Sequence, residues 1–260
     1  MRQWPNADKC DESAAAPYDP GRRSAGARLE EIAGDVALSA CSSALRVSRR
    51  EPRYVYQLGR ALVASGTLEQ ARTEFEQAAA RGYPASRIDL ARLLTRPTAD
   101  MRDIRRAISL LRQAWQDGVP IAAYELGRLY EDGVGGFHSD ATQAWTWYQR
   151  GANAAEPSAL ARFGGREDEW AFSASDRTSK NAHLLQAFRY YAAAAERARI
   201  EDWPDEAWRQ WRYRRASLAR VLAREGMTEQ VAAAYEDVVK RQAPRAAPAW
   251  RRLIAYLGSH

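Results

Sequence analysis

The stretch IAAYELGRLYEDGVGGFHSDATQAWTWYQRGANAAEP, residues 121–157, decides the fold. It reads as two amphipathic helices around a glycine-rich loop. In the first helix the large Leu126 is followed by the small Gly127, and in the second Ala144 and Gly151 stand seven positions apart. Seven positions are two helical turns, so both small residues share one face. Small residues let two helices approach closely, and the large residue beside them fills the remaining gap. The same couple recurs along the chain as Leu58-Gly59, Leu90-Ala91, Phe163-Gly164 and Leu218-Ala219, with Leu126-Gly127 third in order. The second register recurs with it, as Ala71/Ala78, Ala107/Ala114 and Ala187/Ala194. An internal repeat of paired helices follows, each pair burying its apolar face against its neighbours.

Punctuation agrees with that period. Gly66, Gly82 and Gly118 stand where helices should stop, Pro84 and Pro120 follow two of them, and Asp35 and Asp140 precede helical runs as N-caps. Strand-like alternation is nearly absent. The segment GREDEWAFSASDRTSKNAHLLQ, residues 165–186, is rich in Ser and Asp and reads as a long loop between the helices of one repeat. Beyond it come a helix from Asp205 to about Arg224, a turn at Gly226, a helix from Thr228 to about Lys240 and a last helix from Pro248 to Leu257. In that last helix Trp250 and Tyr256 are expected to pack inward and Arg251 and Arg252 to face out.

Residues 121–157 resemble the Sel1-like repeat, a relative of the tetratricopeptide repeat. That family's pattern is A-x-x-x-L-G-x-x-Y-x-x-G, a glycine-containing loop with an acidic residue, then A-x-x-W-[FY]-x-x-A-A. Leu126, Gly127, Tyr130, Gly133, Gly135, Asp140, Ala144, Trp147, Tyr148 and Ala152 occupy its places, while Gly151 stands where alanine is usual. The first repeat, residues 54–85, is similar to an ordinary tetratricopeptide repeat. The second substitutes Ala91 for the small glycine and carries Pro97 in its loop, and the fourth and fifth are divergent. The resemblance implies an all-α, right-handed α-solenoid of four to five stacked helix-turn-helix repeats. It divides the chain into a leader with a first helix (1–50), three repeats (51–157), and divergent repeats with C-terminal capping helices (158–260). It also implies a scaffold that binds peptides or proteins and is not an enzyme.

Two cysteines, Cys10 and Cys41, flank a leader rich in Pro, Gly and Ala. Paired, they would fasten a segment poor in apolar residues onto the helix beginning near Asp35. Reduced, Cys41 would be a buried core residue with Val36, Leu38 and Leu45, and Cys10 exposed. The leader CDESAAAPYDP followed by VALSAC is similar to cysteine-paired segments that precede such arrays, often in exported proteins, and the resemblance therefore favours the bond. A periplasmic or exported location goes with the pair, a cytoplasmic one with free thiols. Residues 1–10, MRQWPNADKC, lack the apolar stretch of a signal peptide, and Asp8 and Asp11 argue against a transit peptide.

Composition bounds the function. The 260 residues have no run of about 18 uncharged apolar residues and a mean hydropathy of −0.58, which excludes insertion in a bilayer by a helix. The net charge is +6, from 36 arginines and three lysines against 33 acids, a mild attraction for an acidic partner. In tetratricopeptide-like hairpins the first helix lines the concave surface. The residue after the small position is taken to point into that groove: Arg60, Arg92, Arg128, Gly165 and Arg220. One turn earlier on the same face stand Tyr56, Ile88 and Tyr124. Guanidinium groups bind carboxylates through paired hydrogen bonds and aromatic rings add rigid contact area. The expected ligand is an acidic or carboxylate-bearing segment of another protein, with Arg60, Arg92, Arg128, Arg220, Tyr56 and Tyr124 as the binding residues. The bland reading is that these arginines are solvated helix residues.

Two other classes of function bear on this sequence. Residues 205–260 hold eleven basic against six acidic side chains, with Trp208 and Trp211 among Arg209, Arg212, Arg214 and Arg215. That combination would suit nucleic acid or another polyanion, but helical spacing makes the tryptophans core and the arginines their rim. Some cysteine-rich members of the resembled family have been linked to β-lactam hydrolysis, yet this chain lacks their many cysteines and any Ser-x-x-Lys in a helical setting. Glu167, Asp168 and Glu169 fall in the expected loop, where solvation keeps carboxylates ordinary. His138 with Asp132 and Asp140 reads as a loop histidine rather than a metal ligand, and Gly133-Val134-Gly135-Gly136 has neither the Lys-Ser/Thr nor the strand of a phosphate loop. No cofactor is implied.

Overall fold

Proline opens three of the helices, at Pro52, Pro84 and Pro157, where its missing N–H costs nothing and its fixed φ suits the first turn. Gly66, Gly82, Gly118 and Gly226 close four hairpin arms with φ between +77° and +79°, a conformation that a side chain would oppose. Between these signals the computed structural model, which describes residues 8–242, is helical from Gly34 onward but for short breaks. Among the described residues there are twelve α-helices and no strand. A short α1 (Lys9–Ala14) and a single 3-10 turn (Leu29–Glu31) belong to the leader, and α2 (Gly34–Val47) follows. Five hairpins come next. They are α3 (Pro52–Ala64) with α4 (Leu68–Ala80), α5 (Pro84–Leu94) with α6 (Met101–Gln116), α7 (Ile121–Asp132) with α8 (Ala141–Asn153), α9 (Pro157–Ser173) with α10 (Arg177–Ile200), and α11 (Asp205–Arg224) with α12 (Thr228–Gln242).

The chain divides into two compact units. One holds the residues up to Gly151 with Asp202–Pro204, and the other holds Ala152–Glu201 and the residues from Asp205. In the first unit α3, α5 and α7 are successive neighbours, α4 packs on α5 and α6 on α7. The small-residue register forms the seam: Ala71, Ala78, Ala107, Ala114 and Ala144 are at most 1% exposed, and so are Ala187 and Ala194 in the second unit. At Gly59 an added Cβ would stand 2.5 Å from a Phe75 ring carbon, and at Gly127 it would run into the Tyr148 ring. In the second unit Gly164 meets Tyr191 at 3.0 Å. An aromatic of the second arm thus lies over the small residue of the first arm in three of the hairpins.

Two local expectations are corrected. Residues 165–186 are not a loop: α9 runs on to Ser173 and α10 begins at Arg177. The Ser-Asp signal marks only the break, where Asp176 caps α10 by accepting from the Ser179 N–H at 2.8 Å. The acidic-basic run ahead of it sustains a helix because Arg166 lies over the Trp170 ring one turn on, at 4.5 Å, while Ala171 is buried. Nor is Asp35 an N-cap, since α2 starts at Gly34 with Ala33 in that place and Asp35 in its first turn. Asp140 does cap α8, accepting from the Gln143 N–H at 2.9 Å. The last helix expected from Pro248 to Leu257, with Trp250, Tyr256, Arg251 and Arg252, lies outside the described residues.

Candidate functional site

Cys10 and Cys41 are joined, which ties α1 to α2. Their sulfurs sit in a small apolar cluster with Ala14, Ile32, Ala37 and Ala61. From that anchor the leader runs over α3 and α5. Asp8 caps α1, accepting from the Cys10 and Asp11 N–H groups at 2.9 and 3.0 Å. Asp11 is fully buried and accepts from Gln57 Nε2 at 2.9 Å, with Arg53 3.4 Å away. Ala14, Ala15 and Ala16 are completely buried. The chain then turns back, and the Ala27 N–H donates to the Ala15 carbonyl at 2.8 Å.

Arg60 lies inside this bend. Its Nη1 donates to the Ala14 carbonyl and its Nη2 to the Ala27 carbonyl, both at 2.8 Å. Beyond it, the Tyr18 and Tyr56 hydroxyls donate to the two carboxylate oxygens of Asp89 at 2.6 and 2.8 Å. Arg92 Nη1 donates to the Tyr18 hydroxyl at 2.8 Å and to Asp89 at 2.9 Å, while its Nη2 reaches Glu125 at 2.6 Å. The Tyr83 hydroxyl donates to Asp19 at 2.6 Å. Leader and hairpin arms therefore share one polar network, running from Asp11 to Glu125.

Burial and charge set its electrostatics. Burial raises Asp89, but Arg92, Arg60 and the two tyrosine hydroxyls outweigh it, so the carboxyl titrates below its usual range. Burial pushes the Tyr18 and Tyr56 phenols up, and they are donors at any ordinary pH. Asp19 goes the other way from Asp89: burial raises it, and the bonds from Tyr83 and the Gly21 N–H recover only part of the cost.

The expected binding residues thus divide. Arg60 and Tyr56, at most 1% exposed, face the leader rather than solvent, because an arginine placed beneath main-chain carbonyls is drawn in to satisfy them. Arg92 is half-buried between Asp89, Tyr18 and Glu125. Arg128 is exposed, 3.9 Å from Glu125 and 3.5 Å from Asp132, with the half-buried Tyr124 one turn before it on α7. The Tyr124 ring leans on Tyr148 at 5.8 Å. Arg220 is exposed on α11, in the second unit. The acidic partners Asp89 and Glu125 were missed. Asp89 stands three positions before Arg92, a local signal, but its link to Tyr18 spans 71 residues and has no trace in local spacing.

In the second unit Asp168, on α9 and not in a loop, accepts two parallel bonds from Arg214, both at 2.8 Å, and one from the Tyr191 hydroxyl at 3.2 Å. Burial and that carboxylate push Tyr191 up to about 12. Glu167 pairs with His183 at 2.8 Å. Trp208 and Trp211 are each 7% exposed, with Arg212 5.0 Å over the Trp208 ring, so the two tryptophans are core. Among the described residues no three His, Cys, Asp or Glu side chains gather as a metal site, and no helix is long and apolar enough to cross a membrane.

The described hairpins superpose on a solved structure, that of a protective antigen present in uropathogenic Escherichia coli strains and displaying an SLR fold. The TM-score is 0.53 with 18% identity, over 84% of this chain and 43% of the antigen. This chain has the Sel1-like repeat fold. It spans less than half of the antigen's length. A Sel1 repeat protein from Oxalobacter formigenes is also similar, with 18% identity, a TM-score of 0.46, and coverage of 88% of this chain and 99% of that one. No family model and no curated protein matches the sequence. Within the Sel1-like repeat fold, Leu126, Gly127, Trp147 and Tyr148 are all buried, Gly127 against the Tyr148 ring and Trp147 edge-on to Trp115 of α6 at 6.3 Å.

Proposed function

We propose that this Sel1-like repeat chain is a non-catalytic protein-interaction scaffold whose first unit grips an acidic or carboxylate-bearing segment of a partner. One observation carries the reading. The leader, a short helix followed by turns and carrying acidic side chains, already lies on the arms α3 and α5, with its carboxylates and carbonyls held by Gln57, Arg60 and Tyr83. The same row of first arms continues to α7, where Tyr124 and the exposed Arg128 offer a ring and a guanidinium one turn apart. Arg92, half-buried at the end of the leader's contacts, joins the two stretches. A carboxylate-bearing segment placed there would exchange the weak, solvent-screened contacts of Arg128 with Asp132 for a paired bond to its own carboxylate. Disulfides persist in oxidising compartments, which supports work outside a reducing cytosol.

The test is fluorescence anisotropy with a labelled Glu-Asp-Tyr-Asp peptide bearing a free C-terminus, and with its neutral Gln-Asn-Tyr-Asn amide. The acidic probe binds wild type and loses at least tenfold in affinity to Arg128→Glu, while Arg220→Glu in the second unit binds as wild type does. Equal binding of both probes, or indifference to Arg128, overturns the reading. Polyanion binding by the C-terminal region has less support, because Trp208 and Trp211 are not available for stacking.

A further inference from the structure

We propose that the surface over α3 and α5 is a binding site for an Ala-Pro-Tyr-Asp type of segment, that residues 14–19 fill it in cis, and that the Cys10–Cys41 bond keeps them there. The inference rests on the scaffold reading and gives it a ligand chemistry and a latch.

The contacts are those of a bound peptide. Arg60 takes main-chain carbonyls, which any sequence offers, whereas Asp89 with Arg92 reads the Tyr18 hydroxyl, and Tyr83 reads the Asp19 carboxylate. The three alanines before Pro17 are fully buried, so only small side chains pass between the bend and α3. This divides recognition into a general grip on the backbone and two side-chain readings, with the Asp19 N–H turned back onto the Ala16 carbonyl at 3.1 Å to present both side chains. The register is set by Tyr and Asp at adjacent positions.

The leader is also poorly rooted. Between residues 8 and 28 its buried side chains are Cys10, Asp11, Ala14, Ala15, Ala16, Pro17, Asp19 and Ser24, and its one aromatic ring, Tyr18, is half-buried. By contrast Phe75, Ile88, Leu90, Ile104, Leu126 and Tyr148 of the hairpins are each at most 1% exposed. Apart from the disulfide and the small apolar cluster around it, the leader is held by hydrogen bonds and ion pairs, which water or a second segment can replace. Its fit is incomplete as well: Arg53 Nε is buried without a hydrogen-bond acceptor, and Arg60 Nε has only the Asp89 carboxylate, 3.4 Å away. A segment supplying one more acceptor there would bind better than the leader does. Leaving the site empty would uncover Gln57, Arg60 and Asp89 together, so the site favours being filled. While Cys10 is tied to Cys41 the leader competes at the high effective concentration of an intramolecular ligand. Reduction leaves it attached only through its C-terminal end.

The experiment uses the full chain with the cis ligand disabled, carrying Cys10→Ser, Cys41→Ser, Tyr18→Ala and Asp19→Ala. The probe is a labelled peptide of residues 8–28 with Ser in place of Cys10. The expected result is saturable binding to this variant, at least tenfold tighter than to oxidised wild type, and loss of that gain when Tyr18 and Asp19 of the peptide are also replaced by Ala. A variant that keeps the helical circular dichroism of the parent and binds no peptide overturns the proposal. Hydrogen exchange on reduced wild type is the second measurement, independent of that variant's folding. Amides of residues 11–27 speed up at least tenfold while those of α5 and α7 do not. Leader and hairpins opening together would make the leader part of the core and overturn the proposal. If the peptide fails yet the acidic probe still depends on Arg128, the scaffold reading stands and the leader's role as ligand falls.

Discussion

Arg60 Nη1 lies 2.8 Å from the carbonyl oxygen of Ala14, so an arginine of the first hairpin holds the main chain of the leader from beneath. A residue whose sequence position suggested an open basic surface is instead the centre of a covered one. Its neighbour Asp89, 3.4 Å from Arg60 Nε, balances that guanidinium and Arg92 together.

Removing Asp89 should therefore be costly. Asp89→Asn leaves Arg60 and Arg92 without their shared counter-charge and is expected to destabilise the first unit by about 3–5 kcal/mol at pH 7, as for other broken buried pairs. The sign of the pH dependence is fixed by the depressed pKa. Asp89 contributes its stability above the unfolded value of about 3.9 and loses it as pH falls through the lower, folded value. Urea midpoints measured from pH 7 down to pH 2 should fall in wild type, and the part due to Asp89 should be missing from the variant.

Asp19 has the opposite sign. Its folded pKa is raised by burial, so what it contributes is fully present below about pH 3.9 and is lost as pH rises through the raised value. Asp19→Asn keeps an acceptor for Tyr83 and removes the buried charge. At pH 7 it should be at least as stable as wild type, and a large loss in a urea titration would contradict this account.

Opening the Cys10–Cys41 bond frees a loop whose ends are 31 positions apart. On the chain-entropy model this costs roughly 3–4 kcal/mol. Thermal unfolding with and without reductant should show the midpoint of the first unit falling while α9–α12 keep theirs. Equal shifts of both units would show that the leader stabilises more than the surface it covers.

The hairpin seam makes its own prediction. Gly127→Ala drives a methyl into the Tyr148 ring and should cost about 1–3 kcal/mol despite the better helix propensity of alanine. Leu126→Ala should cost about 2–5 kcal/mol by the usual core range. Calorimetry on both variants checks the order, and a Gly127→Ala protein that melts with or above wild type would mean that the two arms can spread at no cost.

The hairpins were legible because their signals are local. Leu126-Gly127 and Ala144/Gly151 declare the seam within a single repeat, and Gly66, Gly82 and Gly118 mark ends through a φ that other residues resist. The break at Asp176 was legible as Ser-Asp composition but its length was not. Composition does not register that Arg166 and Trp170 support each other one turn apart. The leader's place was illegible for a different reason. Tyr18, Asp89 and Arg92 meet across 71 and 74 residues, and periodicity says nothing about which distant segment will cover a helix face. Arg60 and Arg128 therefore looked alike in sequence, although one ends beneath the leader and the other in solvent.

The most direct test of the binding surface is a charge swap. Affinities are measured for wild type and Arg128→Glu, each against the acidic Glu-Asp-Tyr-Asp probe and a basic Lys-Lys-Tyr-Lys counterpart. The account predicts a crossover, with wild type preferring the acidic probe and Arg128→Glu the basic one by a comparable factor. Parallel losses for both probes, or no change for either, would contradict the claim that the arms of the first unit grip an acidic segment at Arg128.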